Sequence, residues 1–211
     1  MQLGALTDYL RFVVTLTAVL DPFFAVPIFI GVTRRSSAAG RARLARAVTL
    51  TVFLVLAGAA VFGEGALDVM GTSLPAFRVG GGLVLLLMAL AMLNAQAGGV
   101  RQTQAEAAEL GSRDVSGVVP LAIPLLAGPG AISTTIIAAQ AGGAAHVAAL
   151  IGCVGIVCLL LWWMLTIAQA IGRRMGITGL NIATRILGLL LAAIAIETMA
   201  AGLKGLFPGL G

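Results

Sequence analysis

The stretch VVPLAIPLLAGPGAISTT, Val118 to Thr135, decides how this chain is read. It is apolar enough for a membrane, yet Pro120, Pro124 and the triplet Gly128-Pro129-Gly130 interrupt it. Proline lacks an N–H and clashes with the preceding turn, and glycine offers no resistance to bending. Because apolar sequence flanks the triplet on both sides, the backbone must break inside a hydrophobic span. Polar backbone freed at that depth persists only where protein buries it or where it lines a cavity. The break is therefore a candidate binding site, and the next question is whether it has a counterpart.

Composition sets the frame. Of 211 residues, 60% are hydrophobic and 10% charged, against about 25% charged in soluble domains. The apolar runs far exceed the roughly 10 residues of a membrane barrel strand, so an all-α membrane protein is expected. A net charge of +5 does not point to nucleic acid, because the basic residues fall between apolar runs without aromatic platforms. Cys153 and Cys158 share one apolar run and lack zinc spacing, so they read as small core or lipid-facing residues. The N-terminal MQLGALTDYLRF has neither a basic segment nor an A-x-A site, and no cleaved signal is read there.

Six apolar runs are each long enough for a core of ~30 Å at 1.5 Å per residue. They are Leu6–Val32, Ala47–Phe62 (starting near Leu44), Ala76–Leu93, Val118–Gln140, Val147–Ile171 and Ile182–Leu203. A polar connection, 97–117, separates a first half, 1–96, from a second, 118–211. Ten of the 13 basic residues fall on one side: Arg34, Arg35, Arg41, Arg43, Arg46, Arg101, Arg113, Arg173, Arg174 and Arg185. Only Arg11, Arg78 and Lys204 fall on the other. The positive-inside rule makes the first side cytoplasmic and both termini periplasmic.

The counterpart of Gly128-Pro129 is Asp21-Pro22 in the first span, at an offset of 107 residues (21 to 128). The third and sixth spans repeat their punctuation at the same offset, Arg78 with Gly81 and Arg185 with Gly188. Each half has three spans, so a structural repeat must be inverted across the membrane plane. Six transmembrane helices in two inverted three-helix repeats, with discontinuous first and fourth helices, match the pattern of secondary transporters.

Both breaks read as an N-cap followed by proline at the first helical position. Each new helix start presents unpaired N–H groups and about half a positive charge, which favours an anionic group such as a substrate carboxylate. In the second half the first turn, Gly130, Ala131, Ile132 and Ser133, supplies bare N–H groups, and Ser133, Thr134 and Thr135 add hydroxyls. Asp21 brings a carboxylate of its own, suited to an ammonium group or a cation. Together the two poles suit a small zwitterion, and Gly128, Gly130, Ala131 and Ala25 leave little bulk.

Each candidate also has a plainer reading. Asp21 can be a helix cap satisfied by backbone, although a cap is worth only about 1 kcal/mol against ~2.5–3.5 kcal/mol for a mid-membrane acid. The Ser133 to Thr135 hydroxyls can bond back to their own helix. Glu197, the other acid deep in an apolar run, is a coupling-ion candidate beside Asp21, or a neutral partner of a neighbouring helix. Arg78 and Arg185 read as snorkelling span ends, with Asp68 or Glu64 as partners for Arg78. Gly80-Gly81-Gly82 reads as a close-packing stripe, Asn94 and Gln96 as an inner vestibule or an ordinary polar span end, and His146 as a solvated loop residue. No nucleophile has a base nearby in sequence, and no metal cluster is visible, so neither an enzyme nor a metal site is expected.

These residues carry a resemblance. LDPFFAVPIF (Leu20–Phe29) and PLAIPLLAGPGAIST (Pro120–Thr134) resemble the two signature segments of the MarC family of bacterial inner-membrane proteins. FRVGGGLVLLLMAL from Phe77 and TRILGLLLAAIAIE from Thr184 are similar to its third and sixth spans. The resemblance implies a six-span inner-membrane transporter of small neutral amino acids such as glycine and alanine, coupled to a Na⁺ or H⁺ gradient and free of other cofactors. It puts the binding segments at Asp21-Pro22 and Gly128-Pro129-Gly130. Phe24 stands where many relatives carry a smaller residue, which bears on the cavity volume and so on the substrate. An exporter of another small solute or antibiotic, a channel, and an intramembrane enzyme or assembly factor are the competing expectations. Oligomeric state is not legible.

Overall fold

Seven helices and their short connections account for the residues that the computed structural model describes, 3–33, 36–94, 126–207 and 209, with no strand among them. In chain order they are α1 (Leu3–Leu20), α2 (Pro22–Val32), α3 (Ala38–Val69), α4 (Leu74–Leu93), α5 (Pro129–Ala139), α6 (Ala144–Thr166) and α7 (Ala168–Leu206). Five segments are long and apolar enough to cross a membrane: Leu6–Val32, which joins α1 and α2, then α3, α4, α6 and the Thr178–Leu206 part of α7. The second half of the expected fourth span is the short apolar helix α5. Its first half, the connection 97–117, and with it Arg101, Arg113 and Gln96, lie outside the described residues.

Two elements differ from the hydropathy reading. The second span is bounded in sequence by arginines, yet α3 begins at Ala38, where Ser37 caps it by accepting from Gly40 N at 3.1 Å. Alanine and arginine are strong helix formers, so charge ends the apolar run without ending the helix. Arg41, Arg43 and Arg46 consequently stand on helical turns. The fifth span closes earlier than Ile171, at Thr166, and the expected loop before the sixth span is helical from Ala168. Its break is confined to Gly176, at φ 61° and ψ −176°, a conformation open to glycine.

The first span is the hub. Some 56% of its apolar window is buried, against 22–33% for the other four segments, whose remaining surface is left to lipid. In α5 the turn-by-turn set Gly130, Ala131, Ser133, Thr134, Thr135, Ile136 and Ala139 is buried as well. The two elements that contain the breaks thus form the interior, and α3, α4, α6 and α7 wall them in. Lipid tails are as apolar as leucine, so close backbone approach rather than the hydrophobic effect holds such walls together. The most extensive pair is α4 with α7. There a β-carbon on Gly82 would stand 2.5 Å from Met199 Cγ and 3.0 Å from the Ala195 carbonyl, and one on Gly188 would stand 2.8 Å from Met92 Cβ.

Candidate functional site at the paired helix breaks

The first break is a single residue. Asp21 N–H still bonds Thr17 O at 3.1 Å, closing α1, and Asp21 then turns to φ 43° and ψ 73°. It is the one non-glycine residue with positive φ among the described residues. The left-handed region costs roughly 1–2 kcal/mol for most residues, and aspartate tolerates it best with asparagine. From there its carboxylate Oδ1 accepts Phe24 N–H at 3.2 Å, while its carbonyl accepts Phe24 N–H at 3.1 Å and Ala25 N–H at 3.2 Å. Pro22 occupies the first turn, as the sequence predicts. Asp21 is fully buried, and Thr184 of α7 donates its hydroxyl to Oδ1 at a long 3.4 Å. Strained backbone of this kind clusters at functional sites.

The second helix start differs from the first in both backbone and electrostatics. Gly128 is the N-cap of α5 at φ −71° and ψ 178°, and no side chain caps the helix. The first internal bond is Ile132 N–H to Gly128 O at 3.1 Å, which leaves the amides of Gly130 and Ala131 ahead of the ladder. Ile132, expected among the bare donors, is therefore already engaged. Pro129 is exposed between buried Gly128 and Gly130, and Pro22 is buried. The helix start at α2 meets its own carboxylate, whereas no acid among the described residues caps the start at α5.

The hydroxyl cluster divides. Thr134 donates to Gly130 O and Thr135 to Ala131 O, each at 2.8 Å, so both bond back into their own helix. Ser133 is buried and makes no hydrogen bond with the described residues. It packs instead on the glycine stripe of α4, where a β-carbon at Gly81 would stand 3.0 Å from Ser133 Cβ.

The two breaks come together. A β-carbon on Gly130 would meet Val19 Cγ1 at 3.4 Å, Leu85 Cδ2 at 3.1 Å and Met88 Sδ at 2.6 Å. Val19 lies two residues before Asp21, and Gly130 two residues after Gly128. The last turn of α1 and the first turn of α5 are therefore in contact, roofed by α4, with buried Ala25 and Ala131 adding no bulk. Thr184 brings α7 to the same place, a contact that the sequence reading missed because a lone threonine in an apolar helix carries no signal.

Other candidates lie elsewhere. Glu197 is on an exposed face of α7, thirteen residues beyond Thr184. Arg185 is exposed. Arg78 is half-buried, its Nε shielded and without a hydrogen-bond partner, and it forms no ion pair with Asp68 or Glu64. Asn94 is exposed at the end of α4. The expectation for His146 is corrected: the ring is half-buried, its Nε2 lies 3.0 Å from Ala138 O and its Nδ1 2.9 Å from Tyr9 Oη. A carbonyl only accepts, so Nε2 carries a proton, and in the neutral ring Nδ1 accepts from Tyr9. His146 ties the starts of α1 and α6 to the last turn of α5.

The described residues contain no group of His, Cys, Asp or Glu arranged to hold a metal. Cys158 is buried and Cys153 half-buried on α6, both as free thiols.

Comparison with known proteins adds the lineage. The model of the MarC family of integral membrane proteins matches residues 6–207. The UPF0056 membrane protein YhcE of Escherichia coli is 35% identical over 203 residues, covering 96% of this chain and 94% of that protein. The UPF0056 membrane protein YvbG of Bacillus subtilis is 35% identical over 198 residues, covering 92% and 93%. A UPF0056 membrane protein of the archaeon Pyrococcus abyssi is 32% identical over 206 residues, covering 98% and 99%. No solved structure matches the chain.

Proposed function

The chain belongs to the MarC family of integral membrane proteins, and from that premise we propose that it is a secondary transporter of small neutral amino acids such as glycine and alanine. Its two halves rock about the paired breaks to expose one site alternately to each side of the inner membrane. The substrate ammonium lies toward Asp21, and the substrate carboxylate lies toward the Gly130 and Ala131 amides and the Ser133 hydroxyl. A cation, Na⁺ or H⁺, couples the cycle, with Asp21 as the first candidate to hold it and Glu197, by its remoteness, a distant second.

The observation that carries this reading is the contact between Val19 and Gly130. It brings the last turn of α1, two residues before the buried Asp21, against the first turn of α5, whose N-cap has no side-chain hydrogen bond. Transporters with inverted repeats build their sites this way, from half-helices meeting near mid-membrane.

Support for an inverted repeat comes from the packing. Gly82 meets Met199 while Gly188 meets Met92, so each partner sits one repeat offset from its counterpart to within one residue. The helix pairs follow the same exchange. α2 packs on α7 as α5 packs on α4, and α3 packs on α5 as α6 packs on α1 and α2.

The test is uptake of labelled glycine and alanine into proteoliposomes of purified protein under imposed Na⁺ and proton gradients. Saturable, gradient-dependent uptake is expected. Non-saturating flux would instead indicate a channel, and saturable flux of a different solute an exporter; either outcome overturns the substrate assignment.

A further inference from the structure

Away from the breaks, the described residues of α3 and α6 enclose a cavity of defined chemistry. α3 and α6 run antiparallel and leave between them an outward-facing groove of about 500 Å³. Its walls are Leu50 and Phe53 on α3 with Gly155, Cys158 and Leu159 on α6. Arg46 and Trp162 close one end. Leu50 and Leu159 are exposed, so the trough opens to the bilayer rather than into the protein.

The ends differ in kind. Arg46 lies eight residues into α3 and Trp162 four residues before the end of α6, both on the arginine-rich side of the membrane. From there to Phe53 and Gly155 is seven residues on either helix, about 10 Å of apolar trough at 1.5 Å per residue. Arg43 lies one turn before Arg46 on the same face of α3 and is likewise exposed. Among the described residues, Arg46 Nε reaches only the Ala42 carbonyl, at 3.4 Å, and no ion pair engages it. α6 carries no acid, and the acids of α3, Glu64 and Asp68, lie at its opposite end.

We infer that this groove binds one anionic phospholipid from the arginine-side leaflet, with its phosphate on Arg46 and an acyl chain along Phe53 and Gly155. Tryptophan belongs at headgroup level, and basic residues between transmembrane helices on that side recognise acidic lipid headgroups. The volume falls within the roughly 300–1,000 Å³ of small-molecule sites.

Native mass spectrometry of the purified full chain, with phosphatidylglycerol or phosphatidylcholine at equal concentration, tests the site. The expected result is a one-lipid adduct favoured about fivefold for phosphatidylglycerol, the scale of one basic residue at a membrane surface. Arg46→Gln should erase the preference. Gly155→Leu should remove the adduct for both lipids, because a β-carbon there meets only Phe53 Cε2 at 3.8 Å and the longer side chain fills the trough. Equal retention of the two lipids, a preference surviving Arg46→Gln, or a protein dimer dissolved by Gly155→Leu would each overturn the assignment.

Discussion

Asp21 holds three roles in one side chain: it stops α1, caps α2 and puts a carboxylate at the meeting of both halves. Asparagine tolerates the same left-handed backbone and still offers a capping oxygen, so Asp21→Asn separates structure from charge. The variant should fold and melt like the parent but lose about tenfold or more in uptake rate, a loss of about 1.4 kcal/mol or more. Uptake at the parental rate would remove the charge from the mechanism. Asp21→Ala, by contrast, should lower stability by about 2–3 kcal/mol, about 1 from the lost cap and the rest from alanine held in the left-handed region. At the second break, Gly130→Val is a poor probe because its side chain would collide with Met88 and Leu85. Ser133→Ala is the cleaner one: it removes a hydroxyl without a hydrogen bond in this structure, so thermal stability should hold while glycine affinity falls. His146→Ala breaks two hydrogen bonds worth about 0.5–1.5 kcal/mol each, and Tyr9→Phe breaks one of them. Thermal unfolding in detergent should rank the pair in that order, and equal melting temperatures would contradict the geometry.

At the scale of elements, the α4–α7 crossing rests on glycines placed against methionines. Gly82→Val sets a β-branched side chain against the Ala195 carbonyl and Met199 N, both 3.0 Å from the new β-carbon. Backbone does not yield as a flexible side chain does, so a loss of about 1–3 kcal/mol is expected. Gly80, with nothing within 4 Å of its β-position, provides the control, and Gly80→Ala should hold or raise the melting temperature. A variant pair with indistinguishable melting curves would count against this packing. Proline-marked breaks and the apolar spans were legible in sequence because covalent geometry and hydropathy act locally. The ends of α3 and the Ala168–Met175 helix were not, since charged residues end hydrophobicity without ending helix propensity. Thr184 and His146 were illegible for another reason: their roles come from partners 163 and 137 residues away.

For the whole molecule, the reading depends on two halves enclosing one site rather than each carrying its own. The periodic punctuation at Asp21, Arg78, Gly128 and Arg185 hints at this, but identity between halves is too poor to carry it. Reciprocal packing supplies the stronger argument, because Gly82 and Gly188 meet methionines that exchange under the same offset. Glu197, the other acid deep in an apolar run, stands on an exposed face of α7.

The most direct measurement is equilibrium binding of labelled glycine to the purified protein, compared among the parent, Asp21→Asn and Ser133→Ala. A single saturable site, weakened by each substitution although one lies in each half, is the predicted result. Binding that ignores both substitutions, or that responds to only one half, would contradict a solute held between the two helix starts.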